Sequence, residues 1–243
     1  NGLKLPLTDF KFDENLRMPE EDCQVLIAGG GTAGGMAAMG AAENGSNTLV
    51  TEYFNDLGGT KTMGGVSGYY YGIKDHPFIL VQEKFVSKTA DEFNLANVVA
   101  RRFHLLKTLT DYGCQLKLGT ILCGVKKENN KIIGALISEN GKLIYLKSDI
   151  TVDSTGDADI AYFAGLEFEY GNSRTGFTQN YSQWDIPGNT KVHWSQGGAK
   201  RDYDIIDNSK ISELQRGLFL SHYELHYYDF YPMLTVRESR RPK

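Results

Sequence analysis

Gly29-Gly30-Gly31-Thr32-Ala33-Gly34 is the stretch that most restricts how this chain can fold. It lies in an uncharged run from Cys23 to Ala42, closed by Asp22 on one side and Glu43 on the other. An apolar run of about 20 residues is long enough to cross a bilayer. Glycines 29, 30, 31, 34, 35 and 40 argue against that reading, because glycine is costly in a helix interior. A short apolar run, Val25-Leu26-Ile27, then a glycine cluster, then an alanine-rich run reads as strand, tight turn and helix.

The turn satisfies G-x-G-x-x-G, and each glycine has a physical reason to be there. Gly29 permits the tight exit from the strand, Gly31 lets backbone approach a pyrophosphate, and Gly34 lets helix and strand pack closely. An anion then sits at the helix N-terminus, where free N–H groups and the helix dipole attract it. A second strand, "NTLVTE" (47–52), ends on Glu52. That places an acid about 20 residues past the motif, where one is expected on a ribose hydroxyl. The alternative, a glycine-rich packing turn, accounts for the glycines but not for the acid.

Both NAD and FAD enter a fold this way, so the rest of the chain must separate them. "LGGTKTMGGVSGYYYG" (57–72) places two glycine doublets soon after Glu52. Such positions let a backbone lie along an extended cofactor; a plain loop is the alternative. "ADEFNLANVVARRFHLLKTLTDYG" (90–113) reads as one helix with Leu95, Val99, Phe103, Leu106 and Thr110 on its apolar side and Gly113 as its C-cap. The period then drops to two. "QLKLGTILCGVKK" (115–127), "KIIGALIS" (131–138) and "KLIYLK" (142–147) read as three antiparallel strands, with Asn140-Gly141 marking the last turn. A further strand, Ile150 to Asp153, leads into Ser154-Thr155-Gly156-Asp157 and a small-residue helix.

This order of elements resembles the FAD-dependent oxidoreductase family, the two-dinucleotide-domain flavoproteins with a glutathione-reductase-like Rossmann unit. The resemblance runs over about residues 22–170, and "YDFYPMLTVRESRR" (228–241) is similar to an arginine-rich strand of bacterial members. It implies that Gly29, Gly31, Thr32, Ala33 and Gly34 hold the FAD pyrophosphate and that Glu52 takes the adenosine ribose. It implies further that Gly59, Thr60, Lys61 and Thr62 lie along the ribityl and flavin side, that Leu122 offers its backbone to the adenine, and that Thr155, Gly156 and Asp157 close around the cofactor. The family's segment that returns to the FAD domain has no counterpart before Lys243, so the expectation is a sequence lacking it.

The expected fold class is α/β: a Rossmann-like FAD-binding domain with a β-meander crossover, plus the start of a second domain. The FAD-binding domain is expected over 22–72 and 104–170, a mostly helical insert over 73–103, and a partial substrate domain over 171–243. The polar, turn-rich stretch 171–208 marks where the second begins.

Other residue groups have chemistry of their own to offer. His222 and His226 are four apart and would share a helical face, but no third ligand and no HExxH pattern accompanies them, so no metal is expected. "GGVSG" (64–68) misses the nucleophile elbow, since Tyr69 stands two residues after Ser67. Cys23, Cys114 and Cys123 form no CxxC spacing, which disfavours a disulfide scaffold and mildly favours a reducing, cytoplasmic setting. Cys123 is expected to be a small buried strand residue. Arg237, Glu238, Arg240 and Arg241 form a charged strand in which Arg237 and Arg240 are candidates to orient a substrate; a salt-bridged edge is the equal alternative. Net charge is -4, which offers no basic field for nucleic acid. The expected function is FAD-dependent oxidation of a small organic substrate by hydride transfer, with no membrane span and with no catalytic residue assigned. A non-catalytic FAD- or ADP-binding module and an NAD-dependent dehydrogenase are the alternatives.

Overall fold

The structure is a computed structural model. It describes residues 18–65, 73, 75–170, 181–184, 200–203, 211–212, 215–216, 233–235 and 240–242. Its main body is a six-stranded sheet. The strands are β1 (Glu20–Ala28), β2 (Thr48–Glu52), β3 (Gln115–Leu118), β4 (Ile121–Glu128), β5 (Lys131–Glu139) and β6 (Lys142–Asp153). They lie in the order β3-β2-β1-β6-β5-β4. The first four in that order are parallel, and β5 and β4 extend the sheet antiparallel from β6. This is the expected α/β class.

Strand periodicity explains why this sheet is covered on both faces. Val25, Ile27 and Val50 point to one side, where they pack with Ala38 and Met39 of helix α1 (Thr32–Glu43). Leu57 and, from helix α3 (Asn97–Asp111), Leu105 and Leu109 complete that layer. Leu26, Ala28 and Leu49 point to the other side. There they meet Ala135 and Ile137 of β5, Ile144 and Leu146 of β6, and Ile160 of α4 (Asp159–Phe163). A strand buried on both faces reads as a continuous apolar run, as "VLIA" does.

The single helix expected over 90–113 is two helices. Helix α2 (Pro77–Phe93) starts well before that window and stops where Asn94 turns left-handed, at φ 50°. Asparagine tolerates that conformation as a C-cap, and Leu95 N–H closes the end on Ala90 O at 2.9 Å. The expected apolar stripe is also on the wrong side. Leu95, Val99, Phe103 and Leu106 are all exposed, while Val98, Arg101, Leu105 and Leu109 face inward. An arginine in the middle of the inward set concealed its helical period. The expected boundary between residues 103 and 104 falls within α3.

Two strand expectations change as well. Residues 115–127 are not one strand. Gly119 takes φ +65°, and the chain breaks there into β3, parallel to β2, and β4, antiparallel to β5. In contrast, 142–147 and 150–153 are one strand, β6, long enough to pair with the meander at its start and with β1 along its length. The turn at Asn140-Gly141 is as expected, with φ 50° and 75°. A second such turn stands at Asn129-Asn130, φ 48° and 65°.

Beyond the main sheet, β8 (Tyr181–Trp184), β9 (Lys200–Tyr203) and β10 (Met233–Thr235) form a three-stranded antiparallel sheet. Strand β7 (Phe168–Tyr170) pairs antiparallel with β11 (Arg240–Pro242). Of the stretch 228–241, the described parts in β10 and β11 pair into different sheets. Among the described residues, no helix is long and apolar enough to cross a membrane.

Candidate functional site

The parallel strands β1, β2 and β6 end together, and their exits build the site. β1 leads into the glycine turn. Gly29 takes φ +93°, where a side chain is strained, and a Cβ on it would lie 2.4 Å from Ser154 O. Gly34 is closer still: its Cβ would stand 1.7 Å from Gly29 O. These two glycines are required by the fold itself. Gly31 differs. Its φ is -67°, which any residue can adopt, and a Cβ there would meet nothing within 4 Å. The space in front of Gly31 is thus open, as a site for an approaching group must be.

Helix α1 begins at this point. Gly31 is its N-cap with no side-chain cap, and no acid stands in its first turn. The first internal bond runs from Gly35 N–H to Gly31 O at 2.9 Å, so the N–H groups of Thr32, Ala33 and Gly34 face out of the helix end. Such an end favours an anion through both its donors and the helix dipole. Residues 29, 31, 32, 33 and 34 are brought together here, as the turn motif requires.

Glu52, at the end of β2, is 8% exposed, with one carboxylate oxygen on the glycine turn and the other on the backbone just after the strand. Gly30 N–H donates to Oε2 at 2.7 Å and Phe54 N–H donates to Oε1 at 2.9 Å. Burial pushes the carboxyl above its ordinary value, while the backbone donors Phe54, Gly30 and Tyr53 pull it back. Each oxygen keeps a further lone pair for a ligand hydroxyl. Glu52 therefore braces the glycine turn as well as offering an acceptor.

The segment after Glu52 folds back over the same turn. Gly58 N–H donates to Gly30 O at 2.8 Å, and Thr32 Oγ1 donates to Gly58 O at 3.1 Å. A Cβ on Gly59 would lie 3.1 Å from Gly31 Cα. Gly59 to Lys61 form a single 3-10 turn. Thr60 is exposed. Thr62 is buried, its hydroxyl 2.6 Å from Leu57 O. The Lys61 amine is buried toward α2, 3.8 Å from Glu83 Oε1. Residues 59–62 thus flank the turn with backbone and Thr60, while the side chains of Lys61 and Thr62 are held within the protein.

β6 closes the site from the other side. Ser154 N–H donates to Ala28 O at 2.9 Å, and its hydroxyl lies 2.9 and 2.8 Å from Ala28 O and Gly29 O. The Thr155 hydroxyl donates to Asp153 Oδ1 at 2.8 Å and accepts Asp159 N–H at 2.8 Å. Gly156 is left-handed at φ +83°, and Asp157 is half-buried beside it. Near Glu52, Thr120 N–H donates to Glu52 O at 2.9 Å and Gly119 N–H to Phe54 O at 3.0 Å. Leu122 follows in β4, its side chain packed on the core and its backbone paired with Ile137.

Sequence reasoning passed over Gly30 and Ser154. Gly30 occupies a free position of the motif, yet a Cβ there would meet Leu57 Cδ2 at 2.6 Å, and its N–H is the one Glu52 holds. The third consecutive glycine was the available signal. Ser154 directly follows a strand that ends beside the turn, which alone places it against Gly29. Ser154→Ala is expected to lower stability by about 1 kcal/mol, the net worth of one neutral hydrogen bond. Urea unfolding of the flavin-free protein reads it, and an unchanged midpoint would mean that the backbone bond suffices. Cys123 is exposed rather than buried, because β4 is the outer strand of the sheet. Arg237 lies outside the described residues, as do His222, His226 and Glu238. The Arg240 and Arg241 backbones pair with β7, and their side chains lie outside what is described.

The family described as FAD dependent oxidoreductase matches residues 24–230. No curated protein matches the chain. Among solved structures, a geranylgeranyl bacteriochlorophyll reductase-like protein from Thermoplasma acidophilum is similar at 20% identity, over 70% of this chain and 48% of that one, with a TM-score of 0.49. The myxobacterial chondrochloren halogenase is similar at 14% identity, over 68% and 43%, with a TM-score of 0.48. L-proline dehydrogenase from P. horikoshii is similar at 15% identity, over 83% and 77%, with a TM-score of 0.47. The chain spans less than half the length of the first two. The family match decides between the two dinucleotides, and the open, uncapped helix end beside Glu52 suits the ADP half of the chosen one. The chain belongs to the FAD dependent oxidoreductase family, with FAD as its cofactor.

Proposed function

We propose that this protein oxidises a small organic substrate by passing a hydride to FAD. Bound FAD supplies the two-electron acceptor, and the protein supplies position and electrostatics. The observation that carries the reading is the pair of features at the ends of β1 and β2: an open helix N-terminus in front of Gly31 and a buried carboxylate, Glu52, braced beside it.

In this reading the pyrophosphate is cradled by Gly29, Gly31, Thr32, Ala33 and Gly34: the N–H groups at the helix end are its donors, while Gly29, whose own N–H is held by Thr51 O at 2.9 Å, shapes the turn. Glu52 accepts from the ribose hydroxyls. The backbone from Thr120 to Leu122 runs past Glu52 and borders the adenine. Gly59 to Thr62 and Thr155 to Asp157 flank the other half of the cofactor. Arg237 and Arg240 orient the substrate. The domain division stays as a proposal too, with 22–72 and 104–170 holding FAD, 73–103 inserted, and 171–243 contributing to the substrate side.

The purified protein, or the protein reconstituted with FAD, should show the absorbance bands of oxidised flavin. Anaerobic addition of amino acids, hydroxy acids and related small reductants should bleach those bands with one class of compound. A reconstituted protein that holds no flavin sinks the cofactor site. Bound flavin that is bleached only by a reduced nicotinamide, and reoxidised by an organic acceptor, would reverse the proposed direction.

A further inference from the structure

Arg101 carries a buried charge that the cofactor site does not use directly. It sits on the inward face of α3 at 3% exposure. Its guanidinium makes a two-pronged contact with Glu83 of α2, at 2.5 and 2.6 Å. Among the described residues its Nε has no hydrogen-bond partner. Taking an arginine out of water is expensive, and an apolar side chain would glue two helices at less cost. Its neighbour Ala100 does that, packed with Val86 and Ala90 of α2.

The pair leads somewhere specific. Glu83 Oε1 also lies 3.8 Å from Lys61 Nζ. Lys61 ends the turn that begins at Gly59, and Gly59 rests against Gly31. Leu105, one helical turn beyond Arg101, would touch a Cβ at both Gly35 and Gly58, at 2.9 Å in each case. Helix α3 thus packs through Leu105 against the start of α1 and against Gly58, and reaches segment 58–62 through Arg101, Glu83 and Lys61.

We propose that Arg101 is a positioning residue: through Glu83 and Lys61 it fixes segment 58–62 so that the non-adenylate half of FAD meets a preformed wall. The proposal rests on the reading that this segment flanks that half of the cofactor. Preorganisation of such a wall raises affinity for the part of the ligand it touches and leaves the rest unaffected. FAD should therefore depend on Arg101 and ADP should not.

The Lys61 ammonium gives a second handle. Burial and the Arg101 charge push it down to about 8, against the opposing pull of Glu83. Among the described residues, the charged groups facing it include Glu83 from α2 and Arg101 from α3. His104 of α3, held by Gln82 at 2.7 Å, is pushed below its ordinary value by burial and by the Arg101 charge, against the pull of Glu83, so it is already neutral in this range. Deprotonating Lys61 removes its attraction to Glu83. FAD affinity should then fall as pH rises through about 8, while ADP affinity stays flat.

The test is titration of FAD and of ADP into flavin-free protein, across about one pH unit either side of the lysine's midpoint. Arg101→Met should weaken FAD about tenfold and leave ADP within about twofold. Lys61→Met, which keeps the side-chain volume, should do the same and should also flatten the pH profile; it carries the test if Arg101→Met does not fold. Thr60→Trp places bulk on the exposed part of the segment and should weaken FAD selectively whatever Arg101 does. If Thr60→Trp changes the FAD-to-ADP ratio but Arg101→Met and Lys61→Met do not, the Arg101 inference falls alone. If none of the three changes the ratio, the segment does not face the cofactor and both readings fall. Parallel loss of FAD and ADP affinity with an unaltered pH profile would reduce the pair to helix-to-helix glue and overturn the proposal.

Discussion

Gly31→Val should leave the flavin-free protein as stable as the parent and nearly abolish its binding of FAD and of ADP. The two halves of that result have separate causes. Gly31 adopts φ -67°, which valine also adopts, and a Cβ there meets no atom of the protein within 4 Å. Replacing a helix N-cap glycine and stiffening the unfolded chain act in opposite directions, each by roughly 1 kcal/mol or less. The space that a Cβ would enter, however, is the space in front of the helix N–H groups. An excluded pyrophosphate loses at least two charge-assisted bonds of about 1.5–3 kcal/mol each, which is roughly a hundredfold or more in affinity. Gly34→Ala is the control with the opposite cause. A Cβ 1.7 Å from Gly29 O cannot be accommodated, so that variant should fail in folding before binding can be asked. Thermal melts of the two flavin-free variants, followed by FAD titration of Gly31→Val, check the pair. A Gly31→Val protein that binds FAD normally would show that the phosphates do not lie at this helix end.

What the sequence alone disclosed follows from which forces act locally. The glycine turn was legible because tight turns and close approaches exclude side chains, and that exclusion is written in consecutive residues. The Asn140-Gly141 turn was legible for the same reason. The α2–α3 layer was not. Its inward face includes Arg101, and a charge there is tolerated only because Glu83, eighteen positions earlier, meets it on another helix. No local pattern can display that pairing, and the exposed Phe103 and Leu106 imitated a core stripe. The break at Gly119 was hidden too, because both flanking segments are strand and only the partner strands differ. The bracing role of Glu52 was not legible. Spacing pointed to a ribose acid, but its bond to Gly30 N–H joins residues that only the parallel pairing of β1 and β2 brings together.

That second role of Glu52 changes what its substitution should do. Spacing alone makes Glu52→Ala a pure binding variant with an intact fold. The structure instead makes it destabilising as well. The buried Gly30 N–H loses its acceptor, at a cost of about 1–3 kcal/mol, while the exposed Phe54 can turn to water. Loss of the ribose acceptor should separately weaken FAD about ten- to a hundredfold. Glu52→Gln separates the effects by pH. The Glu52 carboxyl is raised by burial, so its stability contribution is full below the ordinary carboxyl value and is lost as pH climbs through the folded one. Ribose hydroxyls donate to the ionised form, so FAD binding should expel the proton and grow tighter across that same window, above the ordinary carboxyl value. In Glu52→Gln this pH step should vanish, leaving a flat and weaker affinity. FAD titrations from the acid side of that window to neutrality, with urea unfolding of each flavin-free variant alongside, read both effects. A step that survives in Glu52→Gln would belong to another group, and an undiminished FAD affinity in Glu52→Ala would remove this residue from the site while leaving it as the brace of the turn.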